Sequence, residues 1–532
     1  MNIQSTYVSE MLDTITDKNA FLEYVGGHLQ SLDGEPLSTL DHSLMLEKAK
    51  ELRCKKKFTD LYTDYRNEQA QYMPDVPPYI VIKNDKTAVD PVALADYIAD
   101  TQHYIFVQAR EREDKRLFWY ENGVYRRISV SLVKAKIKEI ISEYNRSLAT
   151  VKAIEETYKQ IGYTRDRHYI PNDEILDGNP NIINFENGIL YLNTMTLDAH
   201  SPEHLCTVQI PCKWSSERKE TPVFDKFLEH LARGEEAAKQ TLLEFIGFVV
   251  SNIPVEKFKK SLFLIGKGNS GKTQFIKMLC SFIGTENYCA LPFSKLEARF
   301  QIANLYRKRL AADDDCRAVS SSEVSVFKSI TGGGEVSAEE KGMMSFPFVY
   351  RGGYMVAANE PPQFGGDKGS HVYERIITIA CGDSIPEDKQ DKHLLDKLYA
   401  ERQGILTKAI FALKEAINRN YRFTIGENTR ELIEKYKEEN DSALKFISEC
   451  CETITDTSKA LPAPRVWIAF KEWCEVNNEY LPRRKSFTKA IAYKYNIPEY
   501  EVMKKSGDNR YYPFTLKPEY QEEYHIYDSI QV

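Results

Sequence analysis

Ser261-Leu-Phe-Leu-Ile-Gly266-Lys-Gly-Asn-Ser-Gly271-Lys272-Thr273 is the stretch on which the reading of this chain turns. From Gly266 to Thr273 it fits G-x-x-x-x-G-K-[ST], a pattern that average residue usage would produce in a chain of this length with a probability of roughly 0.02. The flanks fit too. Leu262 to Ile265 read as a buried parallel strand, and Phe275, Ile276, Leu279, Phe282 and Ile283 recur at helical spacing until Gly284 stops them. Strand, glycine-bearing turn and helix in this order make an anion cradle, because the turn's N–H groups and the positive helix end converge on one point. Gly266, Gly268, Asn269, Ser270, Gly271, Lys272 and Thr273 are therefore the expected ATP-binding residues, with Lys272 on the β and γ phosphates and Thr273 on Mg2+.

The 532 residues, 42% of them hydrophobic, suffice for several cores and about three domains. No run of about eighteen apolar residues is present, and the start Met1-Asn-Ile-Gln-Ser-Thr6 lacks a basic stretch followed by an apolar one. The expectation is a cytosolic protein without membrane contact. Ten cysteines without a C-x-x-C pair or a nearby histidine at ligand spacing point to reduced thiols and away from zinc. With a net charge of -7, contact with nucleic acid has to come from local basic surfaces.

Residues 1–75 read as a polar helical accessory region, and Pro74-Asp-Val-Pro-Pro78 as a linker. A mixed α/β domain is expected over 90–215. In it, Arg116–Tyr120 and Gly123–Arg126 flank the hairpin turn Glu121-Asn-Gly123, and Ile182–Leu192 repeats that arrangement around Asn187-Gly188. His200, in a loop before Ser201-Pro202, reads as a structural histidine. Beyond the phosphate loop, Arg309-Leu-Ala-Ala-Asp313-Asp314-Asp315 is an apolar segment ending in three carboxylates, the chemistry that holds magnesium and polarises an attacking water. Glu335–Phe348 reads as a hairpin with Lys341 near its tip. Tyr354–Asn359 is a strand ending in a polar residue, and Arg375 precedes a third strand, Ile376–Ile379.

Taken together, Gly266 to Thr273, the strand ending in Asp315, the Lys341 hairpin, the strand ending in Asn359, and Arg375 resemble a superfamily 3 helicase of the AAA+ class. More narrowly, the chain resembles the poxvirus and phage or plasmid primase-helicase family, which includes replication proteins of phage satellites and pathogenicity islands. Asn184-Phe-Glu-Asn-Gly188, His200-Ser-Pro202 and Ile210-Pro211 are similar to the domain before the motor in that family. The resemblance implies an ATP-driven, ring-shaped and hexameric DNA helicase that initiates replication of a mobile element. Its motor would span 222–425, with catalytic residues Lys272, Asp314, Asp315, Asn359 and Arg375. Within the acidic strand end, Asp314 is favoured for magnesium, with Thr273, and Asp315 for the water. The family often ends the acidic strand in glutamate, so the division of labour among Asp313, Asp314 and Asp315 stays open. Many relatives carry a primase at the N-terminus, but no such motif is visible in this sequence and primase activity is not expected.

Asp391, Leu394, Leu395, Leu398 and Gly404–Leu406 suggest a helical lid. Over 430–532, the helix Ser442–Cys450, the helical Val466–Trp473, the basic Arg483–Tyr495 and the hairpin-like Glu501–Tyr512 resemble a winged helix. Arg483, Arg484, Lys485 and Lys489 would then read a duplex, and Lys504, Lys505 and Arg510 would grip adjacent phosphates, as Lys341 would grip a single strand. The fold expected is α/β, a parallel phosphate-loop motor between a mixed α/β domain and a winged-helix-like domain. Two other classes share parts of the pattern: another phosphate-loop ATPase or kinase, and a nucleotide-gated DNA-binding regulator.

Overall fold

The computed structural model describes residues 3–32, 37–72, 76–83, 86–108, 115–163, 168–170, 175–298, 300–316, 325–339, 345–362, 372–454, 461–506 and 509–523. Two compact units form, Met1–Asp173 and Glu174–Val532. In the first, four helices between Ile3 and Tyr72 close a small core around Phe21, Val25, Met45 and Phe58. A four-stranded sheet then packs two helices, Val130–Asn145 and Val151–Ile161, against Tyr104, Phe106 and Trp119. Its hairpin pairs Lys115–Glu121 with Val124–Arg127 across Asn122 (φ 51°) and Gly123 (φ 84°), the left-handed pair that an Asn-Gly turn supplies at low cost.

The unit boundary differs from the one read in the sequence. Residues from Glu174 onward, expected to stay with 90–173, fold with the phosphate-loop unit instead. The physical reason is a shared core: Ile183, Phe185, Leu190, Ile210 and Trp214 lie in the same apolar cluster as Phe224, Phe245 and Leu264.

The second unit is organised by a five-stranded sheet of β1 (Ser261–Ile265), β2 (Tyr288–Ala290), β3 (Leu310–Cys316), β4 (Gly353–Ala358) and β5 (Ile376–Ala380). The spatial order is β2-β3-β4-β1-β5 and every neighbour is parallel. Leu262 pairs with Met355 on one side and Ile377 on the other. Alternation sorts the side chains onto two covered faces. Leu262, Leu264, Met355, Ala357, Ile377 and Ile379 join one cluster, while Phe263, Tyr354, Val356, Ala358 and Ile376 join another. Each fully buried Leu or Phe contributes roughly 1.5–3 kcal/mol, so sliding a strand by one residue would forfeit several such terms.

Three helices support the first face: α1 (Pro222–Leu231), α2 (Glu236–Val250) and α3 (Lys272–Ile283). The helix α4 (Arg402–Asn418) lies so close to α2 that a methyl at Gly247 would stand 2.4 Å from the Ala409 carbonyl. Glycine is required there by approach alone. Beyond it run α5 (Glu427–Asn440), α6 (Ser442–Cys450), α7 (Ala463–Val476) and α8 (Arg484–Lys494). The last three share an aromatic core of Phe446, Phe470, Trp473 and Phe487 with the strand Phe514–Leu516, which pairs antiparallel with Cys451–Thr453. A short hairpin pairs Lys504–Ser506 with Asn509–Tyr511.

One buried polar knot joins the segment before the motor to β3. Asp177 accepts bonds from the Thr207 amide at 2.8 Å and the Val208 amide at 3.3 Å, and stands 3.8 Å from the guanidinium of fully buried Arg309. Arg309 also donates to Asn252, and burial pushes it below the ordinary arginine range, with Asp177 opposing that shift. Asp177→Ala would strand a buried guanidinium, and the unfolding free energy of the second unit should fall by about 3 kcal/mol. Urea unfolding followed by tryptophan fluorescence reads this; an unchanged midpoint would mean Asn252 alone satisfies Arg309.

Candidate functional site at the C-terminal edge of the sheet

β1 ends at Ile265, and the loop to α3 is fastened on three sides. The Gly266 amide donates to the Ala358 carbonyl at 3.1 Å, the Cys381 amide to Ile265 at 2.7 Å, and the Ile385 amide to Asn269 at 2.9 Å. The turn itself needs left-handed backbone at Asn269 (φ 59°) and Gly271 (φ 97°). Gly271 is doubly constrained, because a methyl there would also meet the Phe227 ring at 3.0 Å. No side chain caps the start of α3, which leaves its first amides facing the loop's hollow.

Lys272 is the first residue of that helix and is only 7% exposed. Its ammonium donates to the Gly266 carbonyl at 2.6 Å and the Lys267 carbonyl at 2.8 Å. Burial lowers its pKa, while Cys381 and Asp315 pull it back up. The neighbouring Cys381 thiol is pushed by burial up to about 12, so it stays protonated beside the loop. The Thr273 hydroxyl donates to the Asp314 carbonyl at 3.3 Å, which brings the acidic end of β3 against the helix start.

The three carboxylates divide. Asp313 is consumed by structure, for its Oδ2 accepts the Phe293 amide at 2.7 Å. After it the pairing with β4 slips, from Asp313 opposite Val356 to Cys316 opposite Ala358. That bulge leaves Asp314 and Asp315 exposed at the sheet edge. The two differ in what they face: Asp314 adds to burial in raising Cys280 of α3 to about 12, whereas Asp315 acts on Lys272. Asn359 follows β4, between β1 and β3, and is exposed. A hydroxyl, two open carboxylates and uncapped amides form a hard-oxygen, anion-accepting set, and these residues fit a magnesium-bound triphosphate.

Arg375 is not brought to this edge. It closes the one-turn helix Tyr373–Arg375 ahead of β5, and Ile376 pairs with Ser261 at the start of β1, so Arg375 sits at the opposite end of the sheet from the loop. Its carbonyl accepts the Ser261 hydroxyl at 2.8 Å. The guanidinium lies against Gly332, and its buried Nη1 has no hydrogen-bond partner among the described residues.

The hairpin expected before β4 is present, pairing Glu335–Ala338 with Phe346–Val349, whereas Lys341 lies outside the described residues. Arg483, Arg484, Lys485 and Lys489 are exposed on and before α8, with Arg484 stacked 5.3 Å over Trp467. Lys504 and Arg510 are exposed on the hairpin strands; Lys505 is placed there by its backbone alone, paired with Arg510. His200 bonds the Phe185 carbonyl at 2.8 Å through Nε2. Among the described residues no helix is long and apolar enough to cross a membrane. Sequence reasoning missed Phe227 under Gly271 and Asp313's tie to Phe293. Neither carries a local signature, since each depends on a contact with a distant segment.

The fold and this edge define a parallel-sheet α/β protein built around a phosphate loop. The profile described as "D5 N terminal like" matches residues 93–231, and "Poxvirus D5 protein-like" matches 438–530. A family of unknown function, DUF5906, matches 264–375, which spans the loop and Arg375. The two D5-like matches, one on each side of the phosphate loop, support a phage and poxvirus-type superfamily 3 primase-helicase family. Among solved structures it is similar to the A-form apo structure of the NrS-1 C-terminal region (11% identity, TM-score 0.45, covering 77% of this chain and 83% of that one). Another apo structure of the same region matches at 13% identity and TM-score 0.44, over 80% and 99% of the two chains.

Lys272→Ala should abolish ATP turnover with the melting curve preserved, because the ammonium bonds only its own loop. Asp315→Asn should stop hydrolysis while nucleotide still binds, and Asp313→Asn, which keeps an acceptor for Phe293, should retain most turnover. Fluorescent-nucleotide titration alongside phosphate release separates these cases; equal loss of binding and turnover in Asp315→Asn would assign that carboxylate to structure.

Proposed function

We propose that this chain is an ATP-dependent DNA helicase of the AAA+ type, working as a ring-shaped oligomer, with a hexamer expected, in replication of a mobile genetic element. The observation that carries the reading is the pairing of buried Lys272 with the open Asp314 and Asp315 at one sheet edge, while Arg375 stands at the other. The nucleotide's phosphates would lie on the uncapped start of α3, with Lys272 turning from the Gly266 and Lys267 carbonyls to the β and γ oxygens. Thr273 and Asp314 would hold magnesium, which when bound neutralises charge on those oxygens. Asp315 and Asn359 would orient the attacking water.

Arg375 cannot serve its own loop from the far end of the sheet. In a ring it would enter the neighbour's site, where an arginine in that role is worth about 10³ to 10⁵ in rate. Lys341, on the connection of the Glu335–Val349 hairpin, would contact backbone phosphate and hence carry no base information. The helices α6 to α8 and the Lys504–Tyr511 hairpin support a winged-helix reading, with α8 presented to duplex DNA and the hairpin to its phosphates.

On a forked duplex the protein with ATP and magnesium should displace the strand, and no displacement should occur without hydrolysable nucleotide. Hydrolysis stimulated by DNA but without displacement at any enzyme concentration would favour the nucleotide-gated regulator. Removing residues beyond 440 should leave single-strand-stimulated hydrolysis largely intact and abolish preference for the element's own origin. Equal binding of full chain and truncation to origin and random duplex across a salt series would remove the C-terminal domain from target choice.

A further inference from the structure

Helix α5 is strongly polar, Glu-Asn-Thr-Arg-Glu-Leu-Ile-Glu-Lys-Tyr-Lys-Glu-Glu-Asn, yet it drives one large aromatic into the motor's core. Tyr436 is 2% exposed, and burial raises its phenol well above the ordinary value, so its hydroxyl remains a donor. That hydroxyl donates to the Pro362 carbonyl, and the ring meets Tyr373 edge-on at 5.4 Å. Pro362 lies three residues beyond Asn359, and Tyr373 two residues before Arg375. One side chain therefore holds the segment behind each of the two residues that the nucleotide chemistry needs at opposite ends of the sheet.

The same turn of α5 is fastened to the basic helix. The ammonium of Lys437 donates to Glu434 at 3.0 Å and to the Tyr493 hydroxyl, and sits 4.4 Å over the Tyr493 ring. The Tyr493 hydroxyl donates in turn to Glu434, and Lys494 donates to Glu438 and, at 3.2 Å, to Ser448. Glu434, Tyr436, Lys437 and Glu438 fall within about one helical turn, whose rise of about 1.5 Å per residue leaves little play between them. A displacement of α8 on meeting DNA would pass to Tyr436 as a rigid-body movement.

We propose that Tyr436 is a positioning residue, through which the placement of the C-terminal basic helix sets where Asn359 and Arg375 stand. The proposal rests on the nucleotide-site reading above. A network of this kind leaves a signature that a merely structural tyrosine does not: its members' losses fail to add.

The test is steady-state ATP hydrolysis without DNA, with single-stranded DNA and with duplex DNA, for wild type, Tyr436→Phe, Tyr493→Phe and the double variant, with melting curves and DNA affinity measured on each. Tyr436→Phe keeps the ring and leaves the Pro362 carbonyl without its donor. It should lower the DNA-stimulated kcat by roughly tenfold, with KM for ATP within about twofold and melting close to wild type. Tyr493→Phe should keep basal and single-strand-stimulated turnover and DNA affinity but lose stimulation by duplex, and the double variant should be no worse than Tyr436→Phe alone. Wild-type kcat in Tyr436→Phe, or losses that multiply in the double variant, would overturn the proposal while leaving the helicase reading intact. A wild-type protein whose hydrolysis DNA does not stimulate would overturn both.

Discussion

A lysine ammonium taken out of water is the constraint around which the phosphate-loop unit is built. Desolvating such a charge costs several kcal/mol, and at Lys272 the cost is offset by two loop carbonyls, Gly266 and Lys267, and by the field of Asp315. Those carbonyls point inward only because the loop is bent through Asn269 and Gly271 and fastened by the Gly266 amide to β4 and the Ile385 amide to Asn269. The floor is Phe227 of α1. Three separate parts of the chain thus converge to hold one charge where a phosphate would otherwise hold it.

How much of this was visible in the sequence depends on the range of the interaction. The loop is local: glycines, lysine and threonine lie within eight residues between an apolar strand and an amphipathic helix, and both elements form as read. The Asn122-Gly123 hairpin and the basic helix α8 were legible for the same reason. The roles of the acids were not. Asp313 is withdrawn by an amide twenty residues earlier and by a bulge that breaks the strand's alternation, and nothing in Asp-Asp-Asp announces either. The unit boundary was hidden as well, since Ile183, Phe185 and Leu190 have the same pattern whichever core receives them. Tyr436 was invisible in a helix whose neighbours are nearly all charged.

The parallel sheet makes the site asymmetric in a useful way. All five strands point their C-terminal ends at the loop, so Asp314, Asp315 and Asn359 gather there from β3 and β4 by chain direction alone. Arg375, at the start of β5, is carried to the far side by the same rule. Its buried Nη1 against Gly332, without a partner among the described residues, is a costly feature within one chain and an understandable one at a shared site, where an incoming phosphate would supply the acceptor.

That claim of a shared site is tested most directly by mixing two inactive proteins. Lys272→Ala subunits retain Arg375, and Arg375→Ala subunits retain an intact loop, so mixed oligomers contain interfaces at which both groups are wild type. Phosphate release measured across mixing ratios, with mixed assembly verified by differential tagging, should rise from the background of either variant to a maximum at intermediate composition. Background activity at every ratio, in oligomers shown to contain both subunits, would contradict the account and return Arg375 to a structural role within its own chain.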